Sequence, residues 1–302
     1  MQALLEEPVE RQPQARLWSQ DNWGEDLILN VRDDNVYYWD ASLGLANRSL
    51  PLSSQVGASG APTIARQVLV SDTDRHVICF GANTIDTTAQ DLLLVRWSDQ
   101  ENAVDWTPTV TNTAGDQRLS SGSEIITAIE TRQQILIWTD SSLYSMRFVG
   151  PPFIFSFNLL ATNASIISPN AAVAVGDRVF WMDTENFFMY AGQIQIIPCT
   201  VLRYVFDDIN TNETLKFFGG ANRMFDEIFW FYCSSDSSDI DRYVKYNYAE
   251  STWDIGSLSR TAWLDFGLLS KPRAAGYIDS ANYIYDHESG TTADGESMSP
   301  FI

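Results

Sequence analysis

Carboxylates are the first side chains in this sequence whose types and spacing could do chemistry. Asp183, Glu185, Asp207 and Asp208 are candidates for glycoside hydrolysis. That reaction needs one carboxyl group with a raised pKa beside a second carboxyl group at a fixed separation. The sequence does not supply this separation, and it lacks the Ser-x-Asp-x-Gly-x-Thr-Trp pattern of sialidases. We therefore predict that the chain is not an enzyme, and a glycoside hydrolase is the second alternative.

Metal binding has two sets of candidates. Asp236, Asp239 and Asp241 resemble a calcium loop, but the glycine at position six and the closing glutamate of an EF-hand are missing. A solvated acidic hairpin loop is the favoured interpretation. The histidines, His76 and His287, have no metal-ligand spacing, so we expect surface or strand-end positions for them. We predict no catalytic, cofactor-binding or metal-binding residue, and no cofactor.

Cysteine chemistry and nucleotide binding have equally little support. Cys79, Cys199 and Cys233 are odd in number, show no Cys-x-x-Cys spacing and lie in or beside apolar runs. These features favour buried free thiols over disulfides or a zinc site. The sequence contains no Gly-x-Ser-x-Gly elbow, no P-loop and no Gly-x-Gly-x-x-Gly fingerprint.

The charge balance excludes one class of function. The chain has 19 basic and 39 acidic residues and a formal net charge of -20. A protein that grips nucleic acid by its phosphates needs the opposite sign. The negative charge is explained by a contribution to solubility, or by a negatively charged surface that repels a polyanion. No run of 18 apolar residues occurs, so no membrane span is predicted.

The elements that must position these side chains are strands. Hydrophobic residues make up 45% of the chain and aromatic residues 13%, which suits a packed core between sheets. Short apolar or β-branched runs recur between Asp, Asn, Gly, Ser and Thr. Helical periodicity is scarce, and a short helical turn is predicted only at Arg203–Thr214.

The strand runs repeat. Aromatic residues close several strands, and an aspartate follows each; Asp99, Asp140 and Asp183 are 41 and 43 residues apart. This spacing is typical of four-stranded propeller blades, whereas a β-sandwich, the runner-up, does not explain it. One such unit reads as Ala171–Val175, Arg178–Met182, Phe187–Tyr190 and Gln193–Ile197.

The predicted fold class is all-β: a β-propeller or propeller-like array of four-stranded antiparallel blades, closed or incomplete. We expect a single domain over 1–302 with a short N-terminal extension at 1–16, forming part of a longer chain. The stretch Ala274–Ile302 reads as the start of a blade that stops before its last strand.

A family resemblance rests on the segment from Leu92 to Asp265. Its motifs are VRWSDQ, DWTP, GDQRLSSGSEI, ILIWTDSSLYSMRF and ISPNAA. This segment resembles the propeller-bearing tail nozzle or tail hub proteins of short-tailed bacteriophages, of the packaged-DNA stabilisation or tail tubular protein B type. Members of that family are longer than this chain and also carry a tube-building segment.

The resemblance implies a virion structural protein in the phage tail, assembled in the host cytoplasm. Copies would form a homo-oligomeric ring, expected to be a hexamer, below the head–tail adaptor and against other tail proteins. Genomic DNA would pass through the tail tube during genome ejection without sequence-specific binding, and an acidic lumen would let it slide. The first alternative is a propeller-type receptor or glycan-binding module of a phage tail.

Overall fold

The computed structural model describes residues 15–267, 270–278, 281–293 and 296–297. Within them the chain forms successive antiparallel sheets, each built from consecutive strands. Five sheets have four strands, the next has three, and a two-stranded hairpin follows. The predicted all-β array of four-stranded blades is therefore confirmed, and we call the first six sheets blades 1 to 6.

The strands of the first three blades cover the first half of the chain. Blade 1 consists of β1 (Trp18–Trp23), β2 (Asp26–Val31), β3 (Val36–Trp39) and β4 (Leu50–Pro51). Blade 2 consists of β5 (Gln67–Val70), β6 (Val77–Phe80), β7 (Leu94–Trp97) and β8 (Gly115–Arg118). Blade 3 consists of β9 (Ile125–Glu130), β10 (Ile135–Thr139), β11 (Leu143–Gly150) and β12 (Ile154–Ala161).

The second half of the chain continues the same order. Blade 4 consists of β13 (Ala172–Val175), β14 (Arg178–Met182), β15 (Phe187–Tyr190) and β16 (Ile194–Ile196). Blade 5 consists of β17 (Phe218–Asn222), β18 (Glu227–Tyr232), β19 (Arg242–Asn247) and β20 (Thr252–Ser257). Blade 6 consists of β21 (Ala262–Leu264), β22 (Arg273–Ile278) and β23 (Ala281–Asp286), and β24 (Thr292–Ala293) pairs with β25 (Glu296–Ser297).

Helical structure is short, as the sequence predicts. The predicted turn at Arg203–Thr214 divides into α1 (Leu202–Phe206) and a 3-10 turn at Thr211–Lys216. Two further 3-10 turns occupy Ala41–Leu43 and Leu52–Ser54. These segments connect strands, and nearly all of the regular secondary structure lies in the sheets.

The first strand of every blade lies next to a common axis. One cavity is lined by side chains from all six first strands or the residues just before them, from Trp18 in blade 1 to Ala262 in blade 6. A radial arrangement of this kind is a propeller, because stacked blades cover each other's faces around a centre. We call the face where the first strands begin the upper face, and the face where they end the lower face.

Apolar side chains between successive blades form the core. One cluster joins blades 1 and 2, a second joins blades 2 and 3, and a third runs through blades 3, 4 and 5. Trp263 of blade 6 packs on the third cluster, with its ring 5.2 Å from that of Phe229. The wide aromatic side chains predicted to fill the space between blades do so here.

Backbone groups on the inner edges of first strands form hydrogen bonds with side chains of neighbouring blades. In β5, the Val68 N–H donates to Ser19 Oγ at 2.9 Å and the Val70 N–H donates to Asp21 Oδ2 at 2.8 Å. In β9, the Ala128 N–H donates to Gln67 Oε1 at 2.7 Å, and Gln67 Nε2 donates to the Ala128 carbonyl at 2.7 Å. Strand edges left unpaired lose free energy when buried, so these bonds hold the blades in register.

The repeat signal has a mixed structural origin. Asp140 and Asp183 both follow the second strand of a blade, whereas Asp99 follows the third strand of blade 2. The 43-residue spacing is therefore a true blade repeat, and the 41-residue spacing compares different strands. Blades 4, 5 and 6 begin at Ala172, Phe218 and Ala262, which are 46 and 44 residues apart.

The last blade begins earlier than the sequence suggested. Its first strand is Ala262–Leu264, and Ala274 belongs to its second strand. The short first strand was missed because three residues carry too little alternation to be recognised. The proposed N-terminal extension at 1–16 falls mostly outside the described residues, and so does the end of the stretch Ala274–Ile302.

Candidate functional site

The propeller axis contains a cavity to which all six blades contribute. Its volume is about 420 Å³, and it is lined by all six blades near the upper face. A second cavity of about 430 Å³ lies against the first and shares Leu17, Arg32, Arg66 and Pro169 with it. Arg32 and Arg66 therefore lie where the two cavities meet. Volumes of this size are typical of small-molecule sites.

Arg66 is held by carboxylates. Its Nε donates to Asp33 Oδ1 at 3.0 Å, and its Nη1 donates to Glu124 Oε2 at 2.6 Å and to the Ile125 carbonyl at 3.0 Å. The side chain is mostly buried, and it packs across Gly81, where a Cβ atom would lie 2.6 Å from Arg66 Cγ. Arg66 is thus a structural cation with its charge neutralised by partners from blades 1 and 3.

Arg32 has a different environment. Its Nη1 donates to the Ile126 carbonyl at 3.0 Å, which ties blade 1 to blade 3. Within the described residues no carboxylate forms an ion pair with it. Burial, followed by repulsion from Arg66, lowers the pKa of Arg32 to about 10. The nearby carboxylates of Asp33 and Glu124 oppose this shift, so Arg32 and Arg66 share two counter-charges and Arg32 remains charged at neutral pH.

Two further polar groups face the same cavity from other blades. Asn170 precedes the first strand of blade 4, and Thr261 precedes the first strand of blade 6. The Asn170 carbonyl accepts from the Gly219 N–H at 2.7 Å, and the Thr261 N–H donates to the Ala275 carbonyl at 2.8 Å. Backbone bonds thus fix both residues, while their side chains form no hydrogen bond among the described residues.

The lower face carries a group of carboxylates near blades 1, 2 and 3. Glu130 Oε1 accepts from the Asp72 N–H at 3.2 Å, close to the carboxylates of Asp21 and Asp74. Burial, followed by repulsion from the aspartates, raises the pKa of Glu130 to about 7. Burial also raises the pKa values of Asp21 and Asp74. No group of three or more acidic, histidine or cysteine side chains in the described ranges is placed to hold a metal ion.

Blade 6 has an apolar face that no other described blade covers. Trp263 and Ala274 lie on the face toward blade 5, so their strand neighbours point the other way. That second face, the blade 6 outer face, comprises the apolar side chains of Ala262, Leu264, Ala275, Tyr277 and Ile284, and it also contains Asn282 and the ion pair between Arg273 and Asp286. Leu264 is 60% exposed and Ile284 is 77% exposed.

Blade 1 has a matching uncovered face. Ser19 and Asp21 point toward blade 2, so the alternate residues point away from it. This blade 1 outer face comprises the apolar side chains of Trp18, Leu27, Leu29, Tyr37 and Trp39 together with the polar side chains of Gln20 and Asn22. Trp18 is 56% exposed, whereas the other four apolar residues are half-buried, and none of the five belongs to a core cluster. The described propeller thus has a partly apolar outer face on each of its first and last blades, and we call these two faces the seam.

The hydrolase candidates have separate structural partners. Asp183 accepts a hydrogen bond from Ser165 Oγ at the end of the second strand of blade 4. Asp208 accepts from Ser235 Oγ at 3.3 Å and lies 3.6 Å from Arg242 Nε in blade 5. Glu185 and Asp207 form no described side-chain hydrogen bond or ion pair. The structure therefore does not join these carboxylates in one hydrogen-bonded site.

The three aspartates of the acidic loop after β18 also have different surroundings. Asp241 accepts from the Ser234 N–H at 2.8 Å and from Ser234 Oγ at 2.7 Å. Asp239 points to Lys216, with 3.8 Å between Oδ1 and Nζ. Asp236 is exposed. This arrangement fits the predicted solvated hairpin loop.

The histidines lie at strand ends, one of the two positions expected for them, because His76 precedes β6 and His287 follows β23. His76 is fully buried between Phe148 and Phe155, and its Nδ1 donates to the Ser98 carbonyl at 2.8 Å. His287 is half-buried and accepts from Arg260 Nε at 3.1 Å, and burial lowers its pKa to about 4. Both histidines are therefore neutral at pH 7.

The cysteines agree with the prediction of free thiols. Cys79 and Cys233 are buried, and Cys199 is partly buried. Burial raises the pKa of Cys79 to about 12 and that of Cys199 to about 11. Thiolates are the reactive form, so these side chains are inert at neutral pH.

No described helix has both the length and the apolar character required to cross a bilayer.

Comparisons with known proteins support the fold alone. No protein-family model matches the chain, and neither does any curated protein. The extracellular domain of BT4673 from B. thetaiotaomicron is similar, with a TM-score of 0.54 and 9% identity over 90% of this chain and 32% of that one. The computationally designed Ika8 protein has a TM-score of 0.51 and 9% identity over 89% of this chain and 70% of that one.

A third likeness is weaker. Hsv2 from Kluyvelomyces marxianus has a TM-score of 0.48 and 8% identity, over 94% of this chain and 77% of that one. At such identities a structural likeness defines architecture and not activity. The sheet order, the six first strands around one axis and the likenesses to BT4673 and Ika8 together define the class of this chain, which is a β-propeller protein.

Proposed function

We propose that this chain is a virion structural protein, the propeller part of a tail nozzle or hub of a short-tailed bacteriophage. The motifs between Leu92 and Asp265 support the proposal, because they form one continuous array from blade 2 to blade 6. Its partners would be further copies in a ring, expected to be a hexamer, together with the head–tail adaptor and other tail proteins. Its location would be the virion tail.

The apolar seam is the observation that carries this proposal. Monomeric proteins rarely leave contiguous apolar faces in solvent, and such faces typically mark interaction surfaces. Here two outer faces, on blade 1 and on blade 6, are covered by no other described blade and carry exposed apolar side chains such as Trp18 and Ile284, while apolar side chains pack between successive blades. A structural part that is built into a larger assembly would bury these faces against its neighbours.

The lumen hypothesis concerns the ring and not the propeller axis. The axial cavity is small, and it contains arginines, so it is not a channel for DNA. The net charge of -20 would act where copies of the chain face the passing genome. An acidic lumen of the assembled ring remains a prediction.

Mass spectrometry of purified phage particles, combined with mass photometry of the purified chain, tests this function. The expected result is that the chain is present in tails at a fixed copy number and forms ring-sized oligomers. If the chain is absent from particles and is a monomer at every concentration, the proposal is wrong. Turnover of a polysaccharide that is abolished by Asp183→Asn or Asp208→Asn would favour the hydrolase alternative instead.

A further inference from the structure

We propose that the N-terminal segment, residues 1–14, supplies the fourth strand of blade 6, with residues 2–6 paired along the free edge of β23. Blades 1 to 5 each have four strands, whereas three described strands form blade 6. The contact lies within one chain, and it depends neither on the seam nor on the assignment to a phage tail. It ties the start of the chain to the sixth blade.

The outer edge of β23 is open for a further strand. β23 pairs with β22 along its whole length, and no described strand pairs with its other side. Its sequence, ANYIYD, contains neither proline nor lysine, which commonly protect an exposed edge, and Asp286 is paired with Arg273. Tyr283 is 51% exposed and Ile284 is 77% exposed. An edge of this kind binds an extended segment through its backbone N–H and carbonyl groups.

The next strand along the chain does not occupy this edge. In blades 1 to 5 the fourth strand follows the third in sequence and pairs with it. After β23 the backbone has positive φ angles at Glu288 and Gly290, of 53° and 77°, and β24 pairs with β25. A fourth strand for blade 6 therefore has to come from another segment.

The direction of the chain favours the N-terminal segment. β23 runs in the same direction as β21, from the upper face to the lower face, because each of them is antiparallel to β22. An antiparallel strand on the free edge of β23 therefore ends at the upper face, where β1 begins at Trp18. Every connection between successive blades makes this step from a fourth strand to the next first strand, and the shortest runs from Ser257 to Ala262.

The segment is also long enough. A fourth strand lies about three strand spacings, roughly 14 Å, outside the first strand of its blade. The first strands of blades 1 and 6 are close together, because Trp18 and Ala262 line the same axial cavity. Residues 7–17 can span roughly 35 Å when extended, so they reach from the edge of β23 to the start of β1.

The composition of residues 2–6 suits an outermost strand. Ala3, Leu4 and Leu5 stand between two polar residues, and Pro8 follows on the side of the connection to β1. The fourth strands of blades 1 and 4 are likewise short and partly exposed, and that of blade 1 ends in Pro51. Proline is tolerated at the edge of a sheet, where its missing N–H leaves no partner unsatisfied.

Hydrogen exchange of the full chain, followed by mass spectrometry, tests the pairing. Alternate amides of β23 point to the free edge, and they should exchange at least about tenfold more slowly in the native chain than in Leu5→Pro, because proline removes a donor from the added strand. Gln12→Pro, in the connection to β1, is the matched control and should leave the exchange of β23 unchanged. Equal exchange of β23 in the native chain and in Leu5→Pro would overturn the proposal.

A photo-crosslink identifies the segment at the edge, and it decides the question even if Leu5→Pro fails to fold. A photoreactive phenylalanine analogue replaces Tyr283, and the full chain is irradiated at a low and a high concentration. We expect a crosslink to residues 1–7 of the same chain, with a yield that does not depend on concentration. The analogue at Tyr204, which is 50% exposed in α1, should give no such crosslink. Crosslinks from position 283 to a second copy, or to other regions only, would contradict the proposal.

Discussion

The side-chain amide of Gln67 pairs with both backbone groups of Ala128 and so acts as an extra strand residue between blades 2 and 3. Its oxygen accepts from the Ala128 N–H and its nitrogen donates to the Ala128 carbonyl, each at 2.7 Å. Thr127 Oγ1 adds a third bond to the same oxygen. One side chain therefore fixes the position of a whole inner strand, and through it one wall of the axial cavity.

Removing this amide should destabilise the propeller. Gln67→Ala leaves the Ala128 backbone groups without partners at a half-buried edge, so the free energy of unfolding should fall by about 1–3 kcal/mol. Urea unfolding followed by tryptophan fluorescence measures the change. Gln117→Ala, on an exposed strand of the same blade, is the control. Equal midpoints for the two variants would show that the Gln67 bonds contribute nothing.

The contact between blades 5 and 6 should be sensitive to a single methyl group. A Cβ atom on Gly220 would lie 2.6 Å from Trp263 Cδ1, where the indole ring also packs on Phe229. Gly220→Ala should therefore displace Trp263 and lower the free energy of unfolding by about 1–3 kcal/mol. Gly267→Ala has open space around its Cβ atom and serves as the control. A Gly220→Ala variant as stable as the Gly267→Ala variant would argue against this packing.

The acidic group on the lower face predicts a pH dependence. The pKa of Glu130 rises from 4.5 to about 7 on folding, because of burial and repulsion from Asp72, Asp21 and Asp74. The folded state therefore binds the proton more tightly, and this stabilisation is complete below pH 4.5 and is lost as the pH rises through 7. Glu130→Gln should thus be more stable than the native chain at pH 8, by about 1 kcal/mol after allowance for partial exposure.

Thermal or urea unfolding at pH 5 and pH 8 measures this effect. The stabilisation by Glu130→Gln should be smaller at pH 5 than at pH 8. Glu250→Gln, in an exposed turn, should leave the stability unchanged at both pH values. A stabilisation by Glu130→Gln that is equal at pH 5 and pH 8 would contradict the assigned pKa.

The seam predicts that stability and assembly can be separated. Ile284 is 77% exposed on the blade 6 outer face, so Ile284→Asp should change the free energy of unfolding by less than about 0.5 kcal/mol. The same change should reduce incorporation into particles by about tenfold, because a charge would be buried in the interface. Val110→Asp, at an exposed apolar residue of a blade 2 loop, is the control for incorporation. Equal incorporation of both variants would rule out the blade 6 outer face as an interface.

The strand groups of blades 3, 4 and 5 could be predicted from the sequence because their strands are apolar and separated by turn residues. The unit from Ala172 to Ile196 is an example, since all four strands follow within short turns. Blade 2 was harder to predict, because Asp99 follows the third strand and a long loop separates that strand from β8 at Gly115. Sequence spacing alone could not show that Asp99 and Asp140 occupy different strands.

The axial cavity and the seam could not be predicted. Arg32 lies in a tight hairpin of blade 1, and nothing in its neighbourhood distinguishes it from a solvated arginine. Its position in the cavity wall depends on the Ile126 carbonyl, 94 positions away in the sequence, and on the stacking of all six blades around the axis. The seam depends on which side chains remain uncovered after the blades stack, and this is a property of the whole array.

Cryo-electron microscopy of intact tails is the decisive measurement for the proposed tail protein. We expect propeller density in the tail, with neighbouring protein packed against Trp18 and Leu29 of blade 1 and against Leu264 and Ile284 of blade 6. A tail reconstruction without propeller density, or one in which both outer faces contact only solvent, would contradict it.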